Sequence, residues 1–280
     1  MNNFIKEYDL RKDIVNKGLE KIFTYKNILE DGSFYALMNN GKRFRPILFI
    51  EFYSLFKEVD ESCMDFAYAI ELIHNYSLVH DDLPCMDDDD MRRGNPTVHK
   101  KYGEDMGVLI GDGLLNKSME RILMAILNSD NKELFVEASK YLYSQSGYEG
   151  MIYGQVLDIQ NKLETKSDFF DMYDKKTCGL IKAACKCAAI TAGATEEEVE
   201  LSEKFGYNFG LAFQLRDDML DYEEDLESQK LTFATLIKNK EKMSKLIEEH
   251  SKNAMNCLKS LNKNTEFLED LTNNFINRDI

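Results

Sequence analysis

Apolar residues recur at helical spacing along almost the whole sequence, whereas the strict apolar–polar alternation of β-strands is nearly absent. This pattern predicts an all-α protein made of long helices. Pro46 favours a helix start, and Thr195 with Glu198 forms a capping-box pattern that begins a helix running through Asp221. The other predicted helices cover residues 47–57, 63–82, 103–127, 147–160, 181–192, 238–261 and 265–277, with a short one capped by Ser167 before Lys176.

The composition limits the class of protein. The chain has 280 residues, 44% of them hydrophobic, with three prolines and no Gly/Ser-rich linker, which predicts a single domain over residues 1–280. A net charge of −15 argues against nucleic-acid binding, which needs a basic surface. Six cysteines without a paired-ligand pattern are expected to be reduced thiols in a cytoplasmic protein. Because no apolar run has signal-peptide or transmembrane length, we expect no membrane span.

Two aspartate clusters carry most of the functional information. The first, at positions 81–90, contains Asp81, Asp82 and Asp87, and the second consists of Asp217, Asp218 and Asp221. Each cluster follows a largely apolar helical run, and carboxylates three or four residues apart share a helix face. Clustered carboxylates repel one another unless a cation neutralises them, and hard oxygen ligands suit Mg²⁺. The two clusters therefore predict a diphosphate held between metal ions, the alternative being that each acidic run is a solvated face.

Basic residues close to both clusters are candidates for binding phosphate. The segment 41–46 places Lys42, Arg43 and Arg45 beside a helix start, where guanidinium groups and backbone N–H groups can bind phosphate oxygens. Arg92 and Arg93 directly follow the first cluster, so they either neutralise it or bind the phosphates. Further candidates are Lys176 with Thr177, Lys230, and His74, which lies two turns before Asp81, whereas His80 is interpreted as structural.

Five segments resemble the trans-prenyl diphosphate synthases and occur in that family's order. They are Gly-Lys-Arg-Phe-Arg-Pro at 41–46, the stretch 74–94, Gly-Gln-Val-Leu-Asp at 154–158, Lys-Thr-Cys-Gly-Leu-Ile at 176–181, and the stretch 210–221. The resemblance implies an all-α fold of long, mostly antiparallel helices around a deep central cavity, usually in a homodimer. It also implies the head-to-tail condensation of isopentenyl diphosphate with an allylic diphosphate.

The resemblance implies a role for each matching residue. The first and second metal-binding motifs would be Asp81, Asp82, Asp87 and Asp217, Asp218, Asp221, holding Mg²⁺, with three ions per active site. The allylic-diphosphate contacts would be Arg92, Lys176, Thr177, Gln214 and Lys230, and the isopentenyl-diphosphate contacts Lys42, Arg45, His74 and Arg93. Among these, the Lys176 carbonyl and the side-chain oxygens of Thr177 and Gln214 are suited to stabilise an allylic cation. The released diphosphate could remove the final proton.

The product length is predicted from the helix before Asp81. Tyr76 lies about 7–8 Å below Asp81 along a helix axis, and its phenol ring can floor the pocket, whereas Ser77 is too small to do so. Family members that make C15 farnesyl diphosphate tend to have an aromatic residue at this position, so a C15 product is expected. The alternative is that Tyr76 packs into a neighbouring helix and the floor lies elsewhere.

The sequence departs from the family pattern at two points. Asn40 stands where many relatives have glycine, and the loop after Asp221 is short and lacks glycine, which leaves the role of Lys230 uncertain.

The alternative products are geranylgeranyl diphosphate or another short-chain prenyl diphosphate. An all-α Mg²⁺-dependent diphosphate hydrolase would leave the paired basic motifs unexplained. A non-catalytic subunit would be expected to lack one aspartate motif, and a terpene cyclase would not need Lys42, Arg45 and Arg93.

Overall fold

The computed structural model describes residues 2–227 and 231–276, and within them the all-α prediction is confirmed. The only strands in this part of the chain form a two-residue antiparallel ladder, in which β1 (Met91–Arg92) pairs with β2 (Asn95–Pro96). None of the described helices combines the length and the apolar character that crossing a bilayer requires.

The first of two compact units contains the chain up to Ile50 and from Val59 to Lys132. Its helices are α1 (Asn2–Leu19), α2 (Ile28–Met38), the first part of α3 (Phe44–Ser54), α4 (Glu61–Asp81), α5 (Val98–Tyr102) and α6 (Glu104–Asn128). Helices α4 and α6 pack along each other, and Phe49 stacks on Phe66 in the core with ring centroids 4.8 Å apart. This packing fixes α4, whose last residue is Asp81.

The second unit contains Glu51–Glu58 and the chain from Glu133 onwards. Its helices are α7 (Lys132–Ser146), α8 (Met151–Gln160), α9 (Lys166–Tyr173), α10 (Gly179–Thr191), α11 (Glu196–Leu220), α12 (Tyr222–Glu227), α13 (Phe233–Ile237), α14 (Lys240–Ser260) and α15 (Glu266–Ile276). Helix α11 packs between α10 and α14, and an aromatic column follows it. The ring contacts run in the order Phe52, Phe205, Phe209, Phe213 and Phe275, with centroids 5.0–6.3 Å apart.

The cap predictions had different outcomes. The capping box of α11 is confirmed, since Glu198 N donates to Thr195 Oγ1 (3.3 Å) and Thr195 N donates to Glu198 Oε2 (2.9 Å). The Ser167 cap is wrong, because Thr165 caps α9. Asp168 lies three residues after Thr165 and accepts from its backbone N at 2.8 Å, which makes the reciprocal pair that Ser167 lacks.

Several helix bounds also differ from the prediction. Helix α3 begins at Phe44, before Pro46, because the missing N–H of proline costs nothing in the first turn. Helix α8 begins at Met151, after a turn at residues 147–150. Helices α1, α2, α5, α7, α12 and α13 were not predicted. In α1 buried Phe4, Val15 and Leu19 alternate with exposed apolar residues, so the sequence shows no single apolar stripe. The single-domain organisation stays a prediction.

Candidate active site

The first aspartate motif lies where α4 ends. Asp82 caps the helix and is 3% exposed, and its Oδ1 accepts from Arg92 Nε at 2.6 Å. Burial raises the pKa of the Asp82 carboxyl, while the hydrogen bond and charge of Arg92 oppose this shift. Arg92 also bonds Asp89 at 3.1 Å. In the structure Arg92 therefore neutralises the acidic run, which is one of the two roles that the sequence left open.

The turn after α4 brings Asp87 back to the end of the helix. Its backbone N donates to the carbonyl oxygen of Asp81 at 2.9 Å, although the two residues are six positions apart. Pro84 lies in the turn between them, and the side chains of Asp81 and Asp87 are half-buried and exposed, respectively. Backbone geometry thus places the first and last predicted ligands of this motif side by side.

A tight hairpin presents both arginines that follow the motif. Arg93 and Gly94 connect β1 to β2 with φ values of 54° and 82°, as a two-residue turn with positive φ requires. Arg93 Nη1 donates to the carbonyl oxygen of Asn39 (3.0 Å), and Asn39 Nδ2 donates to the carbonyl oxygen of Arg92 (3.0 Å). A Cβ at Gly41 would lie 2.7 Å from Arg93 Nη1, which shows how closely the end of this side chain approaches segment 41–46.

Segment 41–46 separates its three cations. Arg43 points into the core, where it forms a buried ion pair with Glu71 (2.7 Å) and bonds Asn16 (2.9 Å), so it is structural. Lys42 stays exposed. Arg45 Nη1 lies 3.2 Å from Nε2 of His74. The structure therefore brings Arg45 and His74 together, as the sequence predicts for one substrate site.

The environment of His74 favours the neutral imidazole. Burial and the positive charges of nearby arginines, Arg45 first among them, lower the pKa of its imidazole. A neutral ring can accept a hydrogen bond on Nε2 from Arg45 while Nδ1 carries the proton. This contact holds the Arg45 guanidinium at the start of α3.

The second aspartate motif lies at the end of α11. Asp217 and Asp221 are one turn apart, and the backbone N of Asp221 donates to the carbonyl oxygen of Asp217 at 3.0 Å. Asp218 is 4% exposed, and burial raises the pKa of its carboxyl to about 6. Its Oδ1 accepts from Gln214 Nε2 at 2.9 Å, and its Oδ2 accepts from the Tyr173 hydroxyl.

A π-helical turn (Asp174–Cys178) places Lys176 and Thr177 beside this motif. Such turns insert one extra residue into a helix and are frequent at functional sites. Thr177 Oγ1 donates to Gln214 Oε1 at 2.7 Å, and Lys176 Nζ forms an ion pair with Asp158 of α8. Segment 154–158 resembles the family, but no role is predicted for Asp158 from the sequence. The signals in the sequence were the charge of Asp158 and its position four residues after Gly154, on the same helix face.

These groups line one cavity of about 120 Å³. The lining residues within this unit are Asp158, Met172, Tyr173, Lys176, Thr177, Gln214, Asp217, Asp218, Asp221, Asp225, Leu231 and Thr232. The second unit thus brings together all of its predicted site residues except Lys230, which lies outside the described residues.

Another group of side chains lies close enough together to hold a metal ion. Among the described residues, Asp88, Asp90 and His99 offer one ligand atom each within 4.8 Å of one another. Both carboxylates are exposed, and Asp90 is already neutralised by Lys100 at 2.6 Å. The donors that best suit Mg²⁺ remain the carboxylate oxygens of the two predicted motifs.

The proposed chain-length residues lie inside the first unit. Tyr76 is 5% exposed and meets the ring of His80 edge-to-face at 5.9 Å, while Ser77 Oγ donates to the carbonyl oxygen of His74 at 2.9 Å. His80 itself bonds the carbonyl oxygen of Val108 in α6 at 3.1 Å, in keeping with a structural role. The control of chain length by Tyr76 stays a prediction.

Comparison with known proteins gives a consistent family. The model of the Polyprenyl synthetase family matches residues 26–271. The farnesyl diphosphate synthase of Bacillus subtilis is 34% identical over 97% of this chain and 96% of its own. The large subunit 1 of the Arabidopsis thaliana heterodimeric geranylgeranyl pyrophosphate synthase is 36% identical over 81% of this chain and 66% of its own. The Helicobacter pylori geranyltransferase, solved with magnesium and isoprenyl diphosphate, is 31% identical with a TM-score of 0.83, covering 98% of this chain and 96% of its own.

Proposed function

The chain belongs to the polyprenyl synthetase family, and we propose that it condenses isopentenyl diphosphate head-to-tail with an allylic diphosphate to give C15 farnesyl diphosphate. The observation that carries this proposal is the cavity of the second unit. One small polar space is lined by the carboxylates at the end of α11 and by Lys176, Thr177 and Gln214. An acidic face that is merely solvated does not need a half-buried, hydrogen-bonded amide and a paired ammonium group beside it.

Magnesium fits the donors that the chain offers. Asp81, Asp82 and Asp87 in one motif, and Asp217, Asp218 and Asp221 in the other, provide only carboxylate oxygens, the ligands that Mg²⁺ prefers. The magnesium and isoprenyl diphosphate in the Helicobacter pylori geranyltransferase support this assignment, with three ions per active site proposed here. When bound, Mg²⁺ stabilises the negative charge that develops on the departing diphosphate.

The side chains of the protein perform the rest of the chemistry in this proposal. Lys176 and Arg92 bind allylic diphosphate oxygens, exchanging their present partners Asp158 and Asp82 for the substrate. The oxygens of Thr177 and Gln214 stabilise the allylic cation by their dipoles. Because water would trap that cation, the proposal requires the bound substrates to exclude water from the cavity.

The second substrate is assigned to the first unit. Lys42, Arg45, His74 and Arg93 would hold the diphosphate of isopentenyl diphosphate, and the contact between Arg45 and His74 already orients the Arg45 guanidinium. Burial lowers the pKa of Arg93, with Arg43 and Arg92 acting in the same direction, so a bound anion would relieve this concentration of positive charge.

The product and the assembly are the finer parts of the proposal. The buried Tyr76 supports a C15 limit, whereas the Arabidopsis relative makes a C20 product the alternative. We propose a cytoplasmic homodimer that forms through α6, where Leu109, Leu123 and Leu127 are each more than half exposed. A C2 interface would cover this apolar face.

One assay tests the reaction. Purified protein with Mg²⁺ is given labelled isopentenyl diphosphate and, in turn, dimethylallyl, geranyl and farnesyl diphosphate, and products are separated by chain length. Accumulation of C15 from the two shorter primers supports the proposal. Mainly C20 product would overturn the chain-length assignment. Release of diphosphate or phosphate without a longer prenyl chain would replace the proposed transferase with a hydrolase.

A further inference from the structure

Tyr173 joins three separate elements through one hydroxyl group. It is the last residue of α9, is 3% exposed, and packs against Phe169 with ring centroids 6.0 Å apart. Its hydroxyl donates to Asp218 Oδ2 on α11 and accepts from the backbone N of Phe233, the first residue of α13, at 3.1 Å. No role in function was predicted for Tyr173 from the sequence.

The directions of these hydrogen bonds follow from the donors and acceptors. A backbone N–H can only donate, so the Tyr173 oxygen accepts from Phe233 and its single proton goes to Asp218. Gln214 Nε2 donates to the other oxygen of Asp218 at 2.9 Å, and Gln214 Oε1 accepts from Thr177 at 2.7 Å. Both series of hydrogen bonds therefore lead from donor to acceptor towards the carboxylate of Asp218, and each of its two oxygens accepts one hydrogen bond.

The hydroxyl also fixes one wall of the cavity. Leu231 and Thr232, which directly precede Phe233, line the same space as Lys176, Asp217 and Asp218. The N–H of a first helical residue has no acceptor within its own helix, so the Tyr173 oxygen supplies the missing partner at the start of α13. Loss of the hydroxyl would leave two buried groups, Phe233 N–H and Asp218 Oδ2, without this bond.

We propose that Tyr173 is a positioning residue that couples segment 231–237 to the second aspartate motif, so that ordering of this segment and binding of the allylic diphosphate with Mg²⁺ reinforce each other. The inference rests on the proposed function for the identity of the ligand. It assigns to Tyr173 no contact with substrate. Its effect reaches the substrate through Asp218 and through the cavity wall formed by Leu231 and Thr232.

The test uses Tyr173→Phe, which removes the hydroxyl and keeps the ring. Tyr141→Phe is the matched control, because the Tyr141 hydroxyl also donates to a carboxylate in the same unit, that of Glu203, away from the cavity. Tyr173→Phe should raise the KM for the allylic diphosphate and the Mg²⁺ concentration for half-maximal activity, each about tenfold. The KM for isopentenyl diphosphate should stay unchanged, and Tyr141→Phe should alter none of these constants.

Hydrogen exchange at the Phe233 amide provides a readout that is independent of activity. In metal-free protein this exchange should be about tenfold faster in Tyr173→Phe than in the wild type, with exchange at Met243 in α14 unchanged. In the wild type, Mg²⁺ with inorganic diphosphate should slow exchange at Phe233. That ligand-dependent slowing also tests the coupling should the variant fail to fold.

Unchanged exchange at Phe233 in the variant, or no effect of Mg²⁺ and diphosphate in the wild type, would overturn the proposal. An equal rise in the KM of both substrates would overturn it as well, because that result would indicate a general loss of structure and not an effect on the allylic site. If the wild type makes no prenyl product, the proposed function fails by itself. The exchange data with inorganic diphosphate would still decide whether Tyr173 couples the segment to the motif.

Discussion

Replacing Gly154 with alanine tests whether α8 must touch the π-helical turn for the site to form. A Cβ at Gly154 would lie 2.3 Å from the backbone N of Lys176 and 2.7 Å from its Cα, whereas ordinary contact begins at 3.4 Å. The obstructing atoms are backbone and cannot rotate away. Helix α8 and the turn that carries Lys176 and Thr177 must therefore separate by about 1 Å in the variant.

This displacement should lower both the stability of the protein and its catalytic rate, by different amounts. Overpacking of this kind costs about 1–3 kcal/mol, and the higher helix propensity of alanine returns about 0.5–1 kcal/mol, so the free energy of unfolding should fall by about 1–2 kcal/mol. A misplacement of about 1 Å near reacting groups can cost about a hundredfold in rate. We therefore expect a modest loss of stability and a much larger loss of kcat.

The assay compares Gly154→Ala with Gly113→Ala, which lies in α6. A Cβ at Gly113 would meet only the side chain of Leu29 at 3.4 Å, so this variant should be as stable as the wild type or slightly more stable. Urea unfolding and steady-state condensation rates are measured for both. Wild-type kcat and stability in Gly154→Ala would refute the close packing of α8 on the turn.

Other variants test the remaining assignments. Arg45→Ala and Arg93→Ala should raise the KM for isopentenyl diphosphate about ten- to a hundredfold and change that for the allylic primer far less, and equal losses for both substrates would make these arginines structural. Tyr76→Ala should shift the product from C15 towards C20, and an unchanged chain length would remove Tyr76 as the floor. Because the folded pKa of His74 lies below its unfolded value, the stability it contributes is present above about pH 6.5 and declines as the pH falls below that value. Urea unfolding between about pH 8 and 5 should show a shallower decline for His74→Gln than for the wild type.

Local sequence signals predicted the elements that depend on local chemistry. The reciprocal pair of Thr195 and Glu198 was enough to locate the start of α11, and the apolar run before Asp81 located α4. Helix α1 was missed because apolar residues lie on more than one of its faces and tertiary packing selects which are buried.

The orientation of side chains at the site could not be predicted from spacing. Lys42, Arg43 and Arg45 look equivalent in the sequence, yet a positive φ of 58° at Arg43 and the buried Glu71 direct only that cation into the core. Similarly, Asp217 and Asp218 are neighbours, but only Asp218 is held inside by Tyr173 and Gln214. Arg43 and Asp218 are oriented by partners more than 25 residues away along the chain, Glu71 and Tyr173 respectively. Local spacing therefore does not reveal their directions.

The most direct test of the two-motif account is the turnover of Asp81→Ala and Asp217→Ala at saturating Mg²⁺. Labelled isopentenyl diphosphate and an allylic primer are the substrates, and Glu223→Ala, which removes an exposed partner of Lys240 near the second motif, is the control. Both aspartate variants should keep the helical circular dichroism of the wild type and lose condensation, while the control keeps it. Wild-type turnover in either aspartate variant would contradict the account.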